Sequence, residues 1–390
     1  MNAEHPFRDS LLKLRDHLHD DILPLWLDHA TDSSGLFLPR LDRRWRRLDS
    51  SFGTIVSQSR LLFSFARGHA LTGDTRYREQ VKAGADFMLS RFRDNDHGGW
   101  FWACAPDGSV VDRAKSCYGH AFALFGLSHA YGVLEAGTLQ DAARHTWEIL
   151  DTRFRDRHGG FVAALSADLR EATTERSQNP IMHLFEALLA AATVGGMPEM
   201  LSHAESVGRF VVERLLRPDG GLPEVYDTQW QPLPESRGGR IDIGHAFEWA
   251  FLLSEAVAAG LPREWLSAAT KLLRYGLDNG FDGDSGGIVS PAPLQGRWTE
   301  RRLGWWEQCE ATRALVRFVT CHDAPEHIER FLSVMAFIDS ACIDQQFRGW
   351  YSAPTPAPGS PGEHKGSEWK LDYHVVGLCT EAIAALDRIA

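Results

Sequence analysis

Three histidines in otherwise apolar segments are the residues of this sequence best suited to chemistry. His183 and His245 each precede a glutamate by three residues, Glu186 and Glu248, and this spacing places both side chains on one face of a helix. A carboxylate beside an imidazole fixes its tautomer and raises its basicity, as a general base requires. His374 lies in a third such segment. Metal ligation is the alternative, but the zinc-protease spacing His-Glu-x-x-His is absent.

These histidines belong to a set of polar residues that recurs at nearly constant distance from a repeated glycine turn. The turn, one or two glycines followed by an apolar residue, occurs at Gly35, Gly98, Gly159, Gly220, Gly286 and Gly349, with gaps of 63, 61, 61, 66 and 63 residues. The polar residues follow their glycines by 22 to 25 residues and are Arg60, His120, His183, His245, Gln308 and His374. Equal offsets in a repeat mean equal height, so we expect all six to converge on one cavity.

The segments between the turns have helical periodicity. Ile181, Leu184, Phe185, Leu188 and Leu189 fall on one helix face. The pattern predicts twelve helices, at 7–28, 53–71, 75–92, 116–136, 139–153, 177–194, 199–214, 242–258, 262–276, 305–322, 325–340 and 370–388. The first and last helices lack partners unless they pack together, which would close a ring. We therefore predict an all-α fold, an (α/α)6 barrel with short β-hairpins in its loops, as a single catalytic domain over residues 1–390.

Aromatic and charged residues near the same predicted cavity are candidates for sugar binding. The aromatic candidates are Tyr118, Trp306 and Trp369, with Phe122, Trp249, Trp305 and Tyr373 close by. Arg240 and Asp242 precede His245 and could hydrogen-bond sugar hydroxyls or form a salt bridge with each other. The cluster Arg43-Arg44-Trp45-Arg46-Arg47 is either a solvated lid or a contact for an anionic sugar.

Composition narrows the class of protein. The formal net charge of −11 argues against nucleic acid as a partner. The sequence has no stretch of 18 apolar residues, so no membrane span is predicted. The charged N-terminal segment does not resemble a signal peptide. The six cysteines are scattered, without a CxxC pair, which is typical of a reducing compartment. We expect a cytoplasmic enzyme.

Four segments resemble the N-acylglucosamine 2-epimerase superfamily, over nearly the whole chain. They are Asn179–Glu186, Gly244–Trp249, Trp305–Gln308 and Trp369–His374. The mannose isomerase-like branch is the closest in pattern; the family also holds sulfoquinovose isomerases and cellobiose 2-epimerases. The resemblance implies that His245 and His374 form the catalytic acid/base pair, that Arg60, His183 and Glu248 contact the substrate, and that no metal or other cofactor takes part.

The resulting hypothesis is an aldose–ketose isomerase that converts D-mannose, or a related aldose, and D-fructose through an enediolate. A sugar 2-epimerase would use the same groups, and the sequence does not separate the two. A glycoside hydrolase on the same fold would need two opposed carboxylates, such as Glu248, Glu307 or Glu310. A non-catalytic binding ring is a third possibility. The expected partner is a monosaccharide; the oligomeric state stays open, with a homodimer as one candidate.

Overall fold

The computed structural model describes residues 4–48, 52–294 and 301–389, and over these it contains thirteen α-helical segments. They are α1 (Glu4–His17), α2 (Leu23–Ala30), α3 (Ile55–Thr72), α4 (Thr75–Phe87), α5 (Cys117–Leu134), α6 (Gly137–Ile149), α7 (Gln178–Thr193), α8 (Met200–Phe210), α9 (Ile243–Ala258), α10 (Trp265–Gly280), α11 (Trp305–Cys321), α12 (Ile328–Phe337) and α13 (Tyr373–Arg388). A π-helical segment, Leu18–Ile22, joins α1 and α2 into one continuous helix, so the described chain forms the twelve predicted helices.

Four of the other outer helices also end in a π-helical turn. These turns are Met88–Phe92, Leu150–Phe154, Val211–Leu215 and Ile338–Cys342. Three short 3-10 segments complete the helical elements: Glu235–Arg237, Pro325–His327 and Pro361–Glu363. The predicted helix 262–276 is the one displaced most, since α10 begins and ends three to four residues later.

The helices form two concentric layers. The inner ring consists of α3, α5, α7, α9, α11 and α13, each packed on the next, and α13 packs back on α3. The remaining helices pack on the outside of this ring. The inner helices are buried almost all round, which explains why α5 and α9 are apolar on every face. The predicted α/α barrel is confirmed.

Short antiparallel strand pairs join neighbouring repeats at the end where the inner helices begin. The strands are β1 (Gly53–Thr54), β2 (Ala103–Cys104), β3 (Val110–Asp112), β4 (Lys115–Ser116), β5 (Ala164–Leu165), β6 (Arg176–Ser177), β7 (Val225–Tyr226), β8 (Val289–Ser290) and β9 (Arg302–Leu303). They pair as β1-β2-β3, β4-β5, β6-β7 and β8-β9.

Side-chain caps fix where four inner helices start. Thr54, Ser116, Ser177 and Asp242 accept hydrogen bonds from the first-turn N–H groups of α3, α5, α7 and α9. These four N-terminal ends, with those of α11 and α13, surround one end of the barrel, which we call the front.

All six turn glycines have positive φ, between 65° and 92°. At Gly35 and Gly220 a Cβ would also lie 2.5 Å from a backbone carbonyl oxygen of the adjacent outer helix. These positions therefore require glycine both for backbone conformation and for close approach.

Two of the six polar residues expected in the cavity instead brace these turns. His120 Nε2 accepts a hydrogen bond from the Trp100 N–H at 3.1 Å, and Gln308 Oε1 accepts from the Ile288 N–H at 2.7 Å. Gln58 does the same for Phe37 in the first repeat. Each donor is the second residue after a turn glycine. The prediction that His120 and Gln308 face the cavity was wrong, because a buried N–H behind each turn needs an acceptor.

The ring closes between the first and last helices, as predicted. Helix α1 packs along α13, and Trp26 Nε1 donates to Asp372 Oδ2 at 2.9 Å. The arginine cluster contributes to this closure: Arg43 pairs with Asp344 and with Glu363. A cavity opens at the front of the barrel, and none of the arginines of this cluster lines it. The alternative that the cluster contacts an anionic sugar is therefore not supported. Over the described residues, no helix is long and apolar enough to cross a membrane.

Candidate active site

A cavity of about 420 Å³ opens at the front of the barrel, among the first turns of the inner helices. All nine residues predicted to form the site line it: Arg60, Tyr118, His183, Arg240, His245, Glu248, Trp306, Trp369 and His374. Each comes from a helix start or from a loop leading to one, so six repeats supply a single pocket. Buried charged and polar groups gathered in a concave site are typical of a binding or catalytic centre.

His245 is held by a buried carboxylate that the sequence analysis did not identify. Its Nδ1 lies 2.8 Å from Glu224 Oε2, and Glu224 also accepts hydrogen bonds from Ser177 and Gln178. Burial alone would lower the pKa of His245. The negative charges of Glu224 and Asp242, with the hydrogen bond to Glu224, outweigh burial and raise it to about 10. His245 is therefore protonated at neutral pH.

His374 has its own carboxylate but stays neutral. Its Nδ1 lies 2.7 Å from Glu310 Oε1. Burial lowers the pKa of His374, and the interaction with Glu310 offsets this only in part. Since the Nδ1–H donates to Glu310, the lone pair on Nε2 is free for the cavity. The two histidines thus differ in charge: one is an acid and the other a base.

His183 belongs to a chain of hydrogen bonds through the middle of the barrel. Its Nδ1 lies 3.1 Å from Glu186 Oε2, and the Tyr373 hydroxyl donates to the other oxygen of Glu186. Burial lowers the pKa of His183 to about 4, against the opposing effect of Glu186. His183 is a neutral imidazole fixed in one tautomer.

Glu248 is buried beside this chain, with both carboxyl oxygens lacking a hydrogen-bond partner among the described residues. Burial, and then the negative charges of Glu310 and Glu186, raise its pKa well above the ordinary value. Glu248 is therefore a neutral carboxylic acid, able to donate a hydrogen bond into the cavity.

Two arginines of the cavity form no ion pair with a carboxylate among the described residues. Arg60 is buried and donates to Tyr118 Oη and to the Trp369 carbonyl, both at 2.8 Å, while its Nε has no acceptor. Among the described residues, Arg240 donates to the Gly238 carbonyl and not to Asp242, which caps α9. The salt bridge considered for Arg240 and Asp242 is absent from the described structure.

Trp306 lies beside both the protonated and the neutral histidine. Its ring centroid lies 5.1 Å from that of His245 and 5.4 Å from that of His374. Gly244 makes this position possible, since a Cβ there would lie 2.3 Å from the Trp306 ring. Trp369 lies at the mouth of the cavity and is 58% exposed.

Several cavity residues were missed by the sequence analysis, or were wrongly included. Glu224 and Asn179 line the cavity, and the Asn179 Oδ1 is buried without a partner. Glu224 follows its turn glycine by four residues, and only its place in a loop between two repeats could have drawn attention to it. Trp249 is instead a core residue that donates to Gln178. Tyr373 faces the barrel interior, behind the cavity.

Two groups of described residues are close enough to share a metal ion: His183, Glu186 and Glu248, and Glu248, Glu310 and His374. The fit is poor in both cases. The imidazole Nδ1 atoms already bond Glu186 and Glu310, and burial favours the neutral form of Glu248, which would have to lose its proton to bind a metal ion.

Comparison with known proteins gives a consistent result. The family model for N-acylglucosamine 2-epimerase (GlcNAc 2-epimerase) matches residues 35–378. The D-mannose isomerase of Marinomonas mediterranea is 24% identical, over 98% of this chain and 99% of its own length. The cellobiose 2-epimerase of Bacteroides fragilis is 23% identical, over 96% and 99%.

A solved structure shares the fold. The cellobiose 2-epimerase from Spirochaeta thermophila superposes with a TM-score of 0.90 at 24% identity, covering 100% of this chain and 99% of that one. With the family model spanning all six repeats and their shared cavity, this chain belongs to the N-acylglucosamine 2-epimerase family of sugar isomerases and epimerases.

Proposed function

We propose that this protein converts D-mannose, or an aldose of similar shape, into the corresponding ketose by proton transfer between C2 and C1. One observation carries the proposal: an imidazolium and a neutral imidazole, each oriented by its own buried carboxylate, lie beside Trp306 in one cavity. Isomerisation through an enediol needs such a pair, one group to take a carbon-bound proton and one to protonate the carbonyl oxygen.

The charge states assign the first step. With the sugar in its open form, neutral His374 removes the proton from C2 while His245 protonates the aldehyde oxygen O1. The product is an enediol with a double bond between C1 and C2. His245, now neutral, takes the proton from O2, and protonated His374 returns its proton to C1. The result is a ketone at C2 and a CH2OH group at C1, with both histidines restored.

Other groups of the cavity match the charge that develops on the sugar oxygens. Arg60 brings a buried positive charge without a carboxylate partner, and neutral Glu248 can donate a hydrogen bond. Asn179 Oδ1 can accept from a sugar hydroxyl. Donors fixed in a water-poor site stabilise an oxyanion at little reorganisation cost. Trp369 offers an exposed indole face at the mouth, suited to the C–H face of a sugar.

Epimerisation at C2 is the second candidate, because the same two histidines could work from opposite faces of the enediolate. Both activities occur among the similar proteins. The two reactions differ in the carbon to which the proton returns. Return to C1 gives a ketose, whereas return to C2 gives the epimeric aldose.

The test is incubation with D-mannose in D₂O, followed by NMR of the product. We expect fructose with deuterium at C1; glucose with deuterium at C2 would identify the epimerase instead. His374→Gln should lower kcat by about 100-fold or more. The matched control is His97→Gln, on an exposed loop. Conversion of no aldose in a small panel, or full activity of H374Q, would refute the proposal.

A further inference from the structure

A second cavity opens at the opposite end of the barrel, which we call the rear cavity. It has a volume of about 260 Å³ and lies among the C-terminal halves of the inner helices. Arg67, His129, Phe251, Arg313, Thr380 and Arg388 are among its lining residues. The mechanism proposed for the front cavity uses none of these six.

The acidic residues of the rear cavity are already engaged. Glu381 pairs with Arg317 and Arg388, and Glu255 pairs with Arg317. Glu186 is bonded to His183 and Tyr373. Each of these carboxylates has another partner and none pairs with Arg67 among the described residues, although the charge of Glu255 acts on Arg67 from a distance.

Arg67 has neither a hydrogen bond nor an ion pair among the described residues, although its Nε is buried. Burial, and then the charge of Arg313, lower its pKa, so two guanidinium groups are held close enough to repel each other. The guanidinium of Arg313 stacks on Phe251, with its Cζ 3.7 Å from the centroid of the ring. The other face of the guanidinium lies against Gly377, which has no side chain to obstruct it. Within the described part of the chain, the Arg313 Nε also lacks an acceptor, and the one carboxylate within 4 Å is that of Glu310, at 3.5 Å.

Thr380 adds a neutral donor. Its hydroxyl is buried in the same cavity and has no hydrogen-bond partner among the residues that the structure describes. Buried donors that lack acceptors are costly, and two guanidinium groups with a hydroxyl match the oxygens of a tetrahedral oxyanion. A simpler explanation for the arginines is that their positive charge compensates the negative ends of the helix dipoles at the helix C-termini. Arg67, however, donates to no carbonyl of the described residues.

We propose that the rear cavity binds a small oxyanion, with inorganic phosphate as its simplest form, between Arg67 and Arg313. The site is distinct from the sugar cavity, although Arg313 also contacts Glu310, the partner of His374. Its volume suits a free ion or a small phosphorylated molecule.

The experiment is calorimetric titration of the full chain with inorganic phosphate in a phosphate-free buffer, at constant ionic strength set with chloride. We expect wild type to bind phosphate, Arg67→Gln to bind at least tenfold more weakly, and Arg8→Gln, an exposed arginine of α1, to match wild type. Saturating mannose should leave the affinity unchanged. Repeating the titration with glycerol phosphate distinguishes a phosphorylated molecule from the free ion; binding of either supports the proposal.

Absence of binding of both phosphate and glycerol phosphate, equal affinity of R67Q and wild type, or displacement by mannose would each overturn it. If R67Q does not fold, Thr380→Val serves instead, because it removes only a hydroxyl. We expect T380V to weaken phosphate binding severalfold, and unchanged affinity in T380V would then count against the site.

Discussion

The two histidines at the centre of the site differ because their surroundings differ. His245 lies between Glu224 and Asp242, and this negative environment keeps it protonated. For His374, burial outweighs the interaction with Glu310, and the positive charge of Arg60 adds to it, so the pKa is lowered. Two chemically identical side chains thereby become an acid and a base, which is how a protein divides one reaction between two groups.

The pH profile should show this division. Activity needs neutral His374 and protonated His245. We therefore expect kcat/KM to fall as the pH drops through the lowered pKa of His374, and to fall again as the pH rises towards about 10, where His245 loses its proton. Glu224→Gln removes the charge that raises the pKa of His245, so the alkaline limb should move to lower pH while the acid limb stays. An unchanged alkaline limb in E224Q would contradict the assigned roles.

Metal removal gives a second prediction about individual residues. The imidazole nitrogens nearest the carboxylates are used for hydrogen bonds, and the shared Glu248 is protonated. Prolonged dialysis against EDTA should therefore leave kcat unchanged, as measured by ketose formation. Loss of activity that added Zn²⁺ or Mn²⁺ restores would show that one of the two metal-capable groups is occupied.

At the scale of elements, the N-terminal ends of the inner helices position the residues of the site. The glycine at the start of α9, Gly244, determines where the Trp306 ring can lie. Gly244→Ala would place a methyl group within 2.3 Å of the Trp306 ring, so the indole beside the two histidines must move. We expect kcat to fall by about 10-fold or more, since small displacements of reacting groups are costly. Gly137→Ala at the start of α6 is the matched control, because nothing lies within 4 Å of its Cβ.

Each brace is a side chain that accepts a hydrogen bond from the buried backbone N–H behind a glycine turn. We therefore expect stability to depend on the presence of an acceptor at this position more than on the residue type. His120→Gln should retain most stability, because glutamine already performs this role at Gln58 and Gln308. His120→Ala leaves the Trp100 N–H buried without an acceptor and should cost roughly 2 kcal/mol in the free energy of unfolding. Urea unfolding compares the two; equal losses in H120Q and H120A would refute the brace.

Sequence periodicity was sufficient for the helices and for four residues that line the front cavity. Arg60, His183, His245 and His374, at offsets of 24 or 25 from their glycines, all reach the cavity. His120 and Gln308, both at 22, brace turns instead. His120 and Gln308 are the fourth residues of their helices, whereas Arg60 and His183 are the sixth. Two residues rotate around a helix by about 200°, so the two pairs lie on opposite faces. Offset predicts height but not direction, and Glu224, in a loop, has no helical periodicity to reveal it.

At the scale of the whole molecule, the barrel depends on closure between its first and last repeats. Arg43 contacts Asp344, Tyr351 and Glu363 across this junction. Arg43→Ala should lower the thermal midpoint more than Arg46→Ala, since Arg46 in the same loop pairs, among the described residues, with nearby Asp42 alone. Unfolding should stay a single transition, because each repeat has two neighbours. Equal midpoints for the two variants would show that the junction adds little.

The antiparallel contact of α1 with α13 also means that the ring has no structurally required starting point. Trp26 meets Asp372 at the front, so the beginning of α1 and the end of α13 lie together at the rear. A circularly permuted gene could therefore join these ends with a short linker and open the chain at Gly137, where one repeat's helices meet in an uncrowded turn. The order in which the repeats are synthesised would change, while the order in which they surround the sugar would not.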